Sequence, residues 1–149
     1  MTWPEAVEYA CPEAWGQGRL DAMMTAARCA LEDGLPLFKA VVDRCPPGPD
    51  AAMLGIALAC LGVGLDLQAQ SLAQGASGGR ALLLGDGLVT RALELAATLG
   101  PAEVEALAQC ATHAMANETP STTLMRSLES QAIETLFAEP SAISDGGFT

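Results

Sequence analysis

Apolar side chains recur along this chain at intervals of three and four residues, the spacing that gathers them on one face of an α-helix. Thr2, Pro4 and Glu5 read as the start of a short helix ending near Cys11–Pro12, with an acceptor cap and a proline that costs little in the first turn. Leu20, Met23, Met24, Ala27 and Leu31 keep helical spacing across Arg19–Asp33, and Gly34 is the expected stop. Pro36 opens a further helix through Phe38, Val41 and Val42, and the run Cys45-Pro46-Pro47-Gly48-Pro49 breaks it. Asp50 is the expected cap of a helix from Ala51 to Leu72, apolar on nearly every side up to Leu65 and so expected at the centre of the fold. Gly55, Gly62 and Gly64 lie inside it, and each costs up to ~1 kcal/mol against alanine, so close packing or a local kink must offset them. The sequence GASGG at 75–79 reads as a flexible loop.

Arg80–Gly100 is a second long apolar helix, ended by Gly100-Pro101. Pro101 opens a helix running from Ala102 to about Asn117. After a break at Thr119–Ser121, Ser121 or Thr122 caps a last helix to Phe137 or Ala138, which Pro140 stops. No segment alternates in the manner of a strand. The pattern predicts an all-α compact bundle of about six helices, four of them long, in one domain over 1–139, followed by a flexible tail at 140–149.

Composition sharpens this picture. Hydrophobic residues make up 50% of the chain and aromatic residues only 4%, so Ala and Leu carry the apolar content and favour closely packed helices. A mean hydropathy of +0.29 leaves more apolar surface than a small soluble monomer needs, which points to a partner. The formal net charge is −11, from 18 acidic against 7 basic residues, and Lys39 is the sole lysine. A nucleic-acid surface or an anionic membrane needs clustered cations, so neither is an expected partner. The five cysteines at 11, 29, 45, 60 and 110 are odd in number and lack a CxxC spacing, which argues against a disulfide framework or a zinc site. The acidic start lacks the basic region of a signal peptide, and Ala51–Leu67 falls short of the ~20 apolar residues of a membrane span. A cytoplasmic location is expected, with reduced thiols.

The order of elements resembles the first half of the polyprenyl diphosphate synthases, all-helical enzymes that add five-carbon units to an allylic diphosphate. Arg80–Gly100 is similar to that family's Gly-Asp helix, with Leu84-Gly85-Asp86 and Ala92-Leu93-Glu94-Leu95 at the matching places. Gly34-Leu35-Pro36-Leu37-Phe38-Lys39 stands where the family has its basic GGKR-type motif. Leu58–Gln70 stands where it has the helix ending in DDxxD, the GASGG loop follows, and Asn117-Glu118 stands where a Gly-Glu pair is frequent.

The departures bear on function. An Asp-rich helix works because carboxylates one turn apart share a face and hold Mg²⁺ ions against the leaving diphosphate. Here the matching segment keeps Asp66, while its partner one turn on is the neutral Gln70, and the basic motif keeps only Lys39. The family's second Asp-rich motif belongs to a C-terminal half that has no match in this chain. No catalytic residue and no metal ligand is therefore expected.

The resemblance implies the small non-catalytic subunit of a heterodimeric (or larger) long-chain synthase, helping to set product length in quinone side-chain synthesis. Mg²⁺ and both Asp-rich motifs would lie in the catalytic partner, and the growing apolar prenyl tail is a possible contact. In the family the Gly-Asp helix and the helix after it form much of the dimer interface, so the same helices would face the partner here, with the stripe Leu84, Leu88, Arg91 and Leu95 as the expected partner face. Leu82, Val89, Leu93 and Ala96 form a second stripe.

Other readings of these residues are plainer. Asp86 reads as a buried, satisfied carboxylate near a helix start, Asp66 as a solvated helix end, and Glu103 with Glu105 as a solvated helix N-terminus. Cys110 and His113 share a helical face, but no orienting group or oxyanion site accompanies them, so Cys110 reads as core. Met23, Met24 and Met115 read as gap-fillers. The alternative function is a stand-alone helical bundle that binds an apolar ligand or acts as an adaptor.

Overall fold

The computed structural model describes residues 1–11, 21–46, 48–116 and 121–137, with side chains for all of these except 21–23 and 121–124. Trp15, the starting residues Arg19 and Leu20, the Asn117-Glu118 pair and the tail expected at 140–149 lie outside the described residues. Seven α-helices and no strand occur among those described: α1 Trp3–Ala10, α2 Asp21–Leu31, α3 Leu35–Val42, α4 Pro49–Gln74, α5 Gly79–Leu99, α6 Pro101–Ala116 and α7 Ser121–Leu136. The architecture is all-α, and its seven helices correspond to the seven segments read from the sequence, one more than the expected total of about six. The four long helices are α4 to α7.

The local chemistry accounts for most boundaries. Thr2 caps α1 in a reciprocal box with Glu5, whose carboxylate also accepts from the Thr2 amide at 3.2 Å. These hydrogen bonds to Thr2 hold the Glu5 carboxyl below its ordinary pKa. Two boundaries differ from expectation. The cap of α4 is Gly48, with Pro49 in the first turn and Asp50 one position inside the helix. Proline is already preset for helical φ, so the helix starts before the aspartate. Gly34 does not end the structure in a left-handed cap. A 3-10 turn, Glu32–Gly34, passes directly into α3 with Gly34 at φ −88°. A Cβ at that position would lie 2.9 Å from the Cβ of Ala59, so Gly34 is required by close packing on α4.

Helix α4 is the axis of the bundle. It touches every other α-helix, and its Ile56, Ala57, Leu58, Ala59 and Cys60 are completely buried. Phe38 and Leu37 from α3, Leu107 from α6 and Leu128 from α7 close the core around it. Trp3 packs on Phe38 with ring centroids 5.1 Å apart and donates its indole N–H to Glu32 at 3.4 Å, so the first helix is tied to the α2–α3 corner.

The interior glycines of α4 mark close approach. Gly55 receives the Phe38 ring, and Gly64 receives the backbone of α5. The GASGG segment is an ordered 3-10 turn at Gly75–Gly78. Gly75 takes φ +63° at the C-cap of α4, a conformation in which L-residues are strained, and Gly78 sits against the Ser71 backbone. At the far end of α5, Gly100 has φ +146°.

Two glycine substitutions separate packing from propensity. Gly64→Ala places a methyl 2.8 Å from Val89 Cγ2 and 2.9 Å from the Gly85 carbonyl, and should destabilise by about 1–3 kcal/mol. Gly79→Ala meets open space at ordinary helical φ and should stabilise by about 0.4–1 kcal/mol. Urea unfolding midpoints check both signs, and equal shifts would remove the close-approach account.

Candidate functional site

Helices α4 and α5 carry the residues singled out as the degenerate Asp-rich motif and the Gly-Asp signature. They form a hairpin across the Gly75–Gly78 turn and meet backbone to backbone. A Cβ on Gly85 would lie 2.7 Å from the Gly64 carbonyl oxygen, so neither position has room for a side chain. One turn beyond Gly64, the Gln68 side-chain amide donates to Asp86 Oδ1 at 2.7 Å. Thr90 Oγ1 donates to the Asp86 backbone carbonyl at 2.8 Å.

Asp86 is therefore not the buried carboxylate expected near a helix start. It is exposed, it lies well past the first turn of α5, and the Gln68 amide satisfies it in place of the helix dipole. Gln68 carried no signal of this role beyond its position one turn after Gly64.

Asp66 also differs from expectation. The helix continues to Gln74, and Asp66 is half-buried within it, so it is not a solvated end. Its Oδ2 accepts from Gln70 at 3.0 Å, while Oδ1 is enclosed without a hydrogen-bond donor. Asp66 follows Gly64 by two residues, which is ~200° around a helix of 3.6 residues per turn. It thus faces away from α5, and Asp66 and Asp86 do not converge. Each face offers one carboxylate with one amide, a poor match to the several hard oxygen ligands of Mg²⁺. Among the described residues no group of three or more His, Cys, Asp or Glu side chains could hold a metal ion.

The stripe expected to meet a partner faces the chain's own core. Leu84, Leu88 and Leu95 are 9%, 0% and 1% exposed. Arg91 is turned to α1: its Nε and one terminal nitrogen donate to the carbonyls of Ala10 and Tyr9 at 3.1 and 2.8 Å. Its guanidinium lies 5.6 Å from the Tyr9 ring centroid and 3.8 Å from the Glu94 carboxylate. Arg91 therefore caps the last carbonyls of α1, where a cation is favoured.

The second stripe reaches solvent. Leu82 and Leu93 are 44% and 40% exposed, neighbouring Leu83 is 61% exposed, and Val89 is half-buried over Gly64. Ala96 leaves that stripe by being fully buried. Leu72, late in α4, is 85% exposed.

Cys110 lies in the core, where burial pushes its thiol up and a hydrogen bond with Thr135 acts the other way. His113 is at the surface, its Nδ1 3.3 Å from Gln131 Oε1 on α7. The two do not form a nucleophile–base pair. Met115 is 58% exposed and fills no gap. Burial likewise raises the thiols of Cys11, Cys45 and Cys60. Cys29 is exposed.

A shallow cavity of about 550 Å³ lies at the opposite end of the hairpin from the Gly75–Gly78 turn, bordered by Cys45, Asp50, Leu54, Leu99 and Glu103. Glu103 is half-buried there and leans toward Gly100, at its own helix start.

By length and composition alone, the helical stretch Pro49–Leu99 is apolar enough to cross a membrane, which amends the expectation for Ala51–Leu67. Its most apolar window has mean hydropathy 1.7 and is 72% buried inside the protein, as in the core helix of a bundle.

No protein-family model matches the chain, and neither a curated protein nor a solved structure matches it significantly.

Thiol accessibility tests this arrangement directly. In the native protein Cys29 should react promptly with an aromatic disulfide reagent, and Cys11, Cys60 and Cys110 should react only as fast as the protein opens. All five should titrate at once in denaturant. Prompt native reaction of Cys110 would reinstate it as a candidate nucleophile.

Proposed function

We propose that this chain is the non-catalytic subunit of a two-component prenyl diphosphate synthase, pairing with a full-length catalytic chain. The observation that carries the reading is the α4–α5 hairpin. The segment in the place of the Asp-rich helix lies against the Gly-Asp helix, joined by a short glycine turn, and the resemblance has these elements in the same order. Within that hairpin the one carboxylate of the Gly-Asp pair is bonded to a neutral amide, and Asp66 points away from it. Such a hairpin supplies shape and apolar surface in place of Mg²⁺-binding chemistry.

In this reading the catalytic chain brings Mg²⁺, both Asp-rich motifs and the substrate sites. The present chain covers an apolar surface of that partner and walls part of the space in which the prenyl tail grows. Side-chain bulk on its partner-facing surface would then influence product length.

The test is co-expression with the full-length prenyl diphosphate synthase of the same organism, size exclusion, and an Mg²⁺-dependent assay of product length. Co-elution, with long-chain product formed only when both chains are present, is the expected result. Separate elution with unchanged synthase activity would replace this reading with the stand-alone ligand-binding or adaptor bundle.

A further inference from the structure

We infer that the end of the α4–α5 hairpin docks shallowly on a phospholipid bilayer whose headgroups carry no net charge. This is a surface contact, not a span, and it does not depend on the two-component reading. From Leu72 to Leu83 only Gly78 is buried, and it lies against Ser71 of the same hairpin. The end of the hairpin therefore stands clear of the other helices. Leu72 is the most exposed large apolar side chain among the described residues, at 85%. The hydrogen bond from Gln68 to Asp86, 2.7 Å across the hairpin, shows which sides of the two helices adjoin. Leu72 follows Gln68 by four residues and Leu82 precedes Asp86 by four, so each lies one turn nearer the end on that same side. Leu83 follows directly and is 61% exposed. Between Asp66 and Asp86 the sole charged residue is Arg80.

Shape, size and charge select the occupant. The leucines sit on a projecting end and line no cavity, so a free apolar ligand has nothing to enter there. The whole segment 66–83 is smaller than the ~20–30 residues that a stable protein interface takes from each side. A bilayer asks for less, namely apolar side chains reaching ~5–10 Å into the headgroup boundary. A chain of net charge −11 is repelled by anionic headgroups, whereas its nearly uncharged hairpin end can approach neutral ones. Arg80 is exposed at the start of α5, where its stem can lie along the apolar layer with the guanidinium at the level of the phosphates. The turn brings bonded polar groups to the surface: the Gly75 N–H donates to the Ser71 carbonyl, and Ser77 Oγ donates to the Gln74 carbonyl at 3.1 Å. Groups already paired cost less to remove from water.

The test is flotation of the purified chain with phosphatidylcholine vesicles, for the wild type and for the double variant Leu72→Gln with Leu83→Gln. Both positions are exposed and the net charge is unchanged, so the variant should keep its helical circular dichroism and melting temperature while vesicle binding falls about 10-fold or more. A Leu72→Trp variant should lose fluorescence to brominated phosphatidylcholine beyond any loss in the wild type. Admixed phosphatidylglycerol should weaken wild-type binding, and added salt should restore it. Absence of wild-type flotation, or equal flotation of a folded double variant, would overturn the inference and leave the two-component reading standing. Binding that grows with phosphatidylglycerol would also overturn it, by assigning the contact to cations elsewhere. A lipid-free dimer in sedimentation equilibrium that the double variant dissociates would give the hairpin end to a second copy. A double variant that loses the full-length synthase, with no vesicle binding by the wild type, would give it to a protein partner.

Discussion

Every other α-helix of this bundle is positioned by α4, and α4 can be surrounded because its backbone is approachable. A helix apolar on all sides must be covered on all sides, or it exposes surface worth roughly 25 cal/mol per Å². Covering one helix with six others requires that some come closer than ordinary side chains permit. Gly34 against Ala59, Gly55 against the Phe38 ring, Gly62 against Leu37 and Leu128, and Gly64 against Gly85 are points of close approach. Each interior glycine weakens the helix by itself, and each is offset by the dense contacts that its missing side chain allows. The low aromatic content belongs to the same design: a core of Ala, Leu, Val and Cys fills small gaps between close backbones.

That enclosure determines what remains outside. Once α4 is covered, the apolar content of α5 exceeds what the single core can absorb, and its surplus appears as exposed leucines on one side of the helix. The polar groups of the hairpin are handled in a complementary way. Asp86 and Asp66 are each matched with a glutamine amide, which satisfies hydrogen bonds without introducing a cation. Neutral amides leave the negative charge uncompensated, so the hairpin contributes to the acidic balance of the chain. The one arginine in the middle of α5 is spent on the carbonyl end of α1.

The sequence made the elements legible and left their orientation open. Prolines at 36, 49 and 101 and the glycine at 100 bracket the helices because they act locally, on φ and on backbone hydrogen bonds. The central role of α4 was equally visible, since no face of it is polar before Asp66. The rotation of α5 was not. Its two stripes are similarly rich in leucine, so periodicity establishes a helix without saying which stripe faces inward. The stripe with Arg91 is expected to face outward only because the resemblance puts the Gly-Asp helix at a dimer interface. What placed Arg91 at the core boundary is a pair of α1 carbonyls some eighty residues earlier in the chain, a long-range partner that no local pattern reveals. Asp86 was misread for a related reason: its partner Gln68 lies on another helix and becomes a neighbour only when Gly64 and Gly85 touch.

The inward stripe of α5 bears on what the hairpin leaves available, because the seam between α4 and α5 is closed. Here Gly64 and Gly85 close it, and Gln68 bonds across it. Closing the seam makes α5 a buttress of the core, with its inner stripe consumed by α4. The outer stripe is then the part of that helix left at the surface. In the two-component reading proposed above, a partner accounts for its exposed Leu93, beside half-buried Val89.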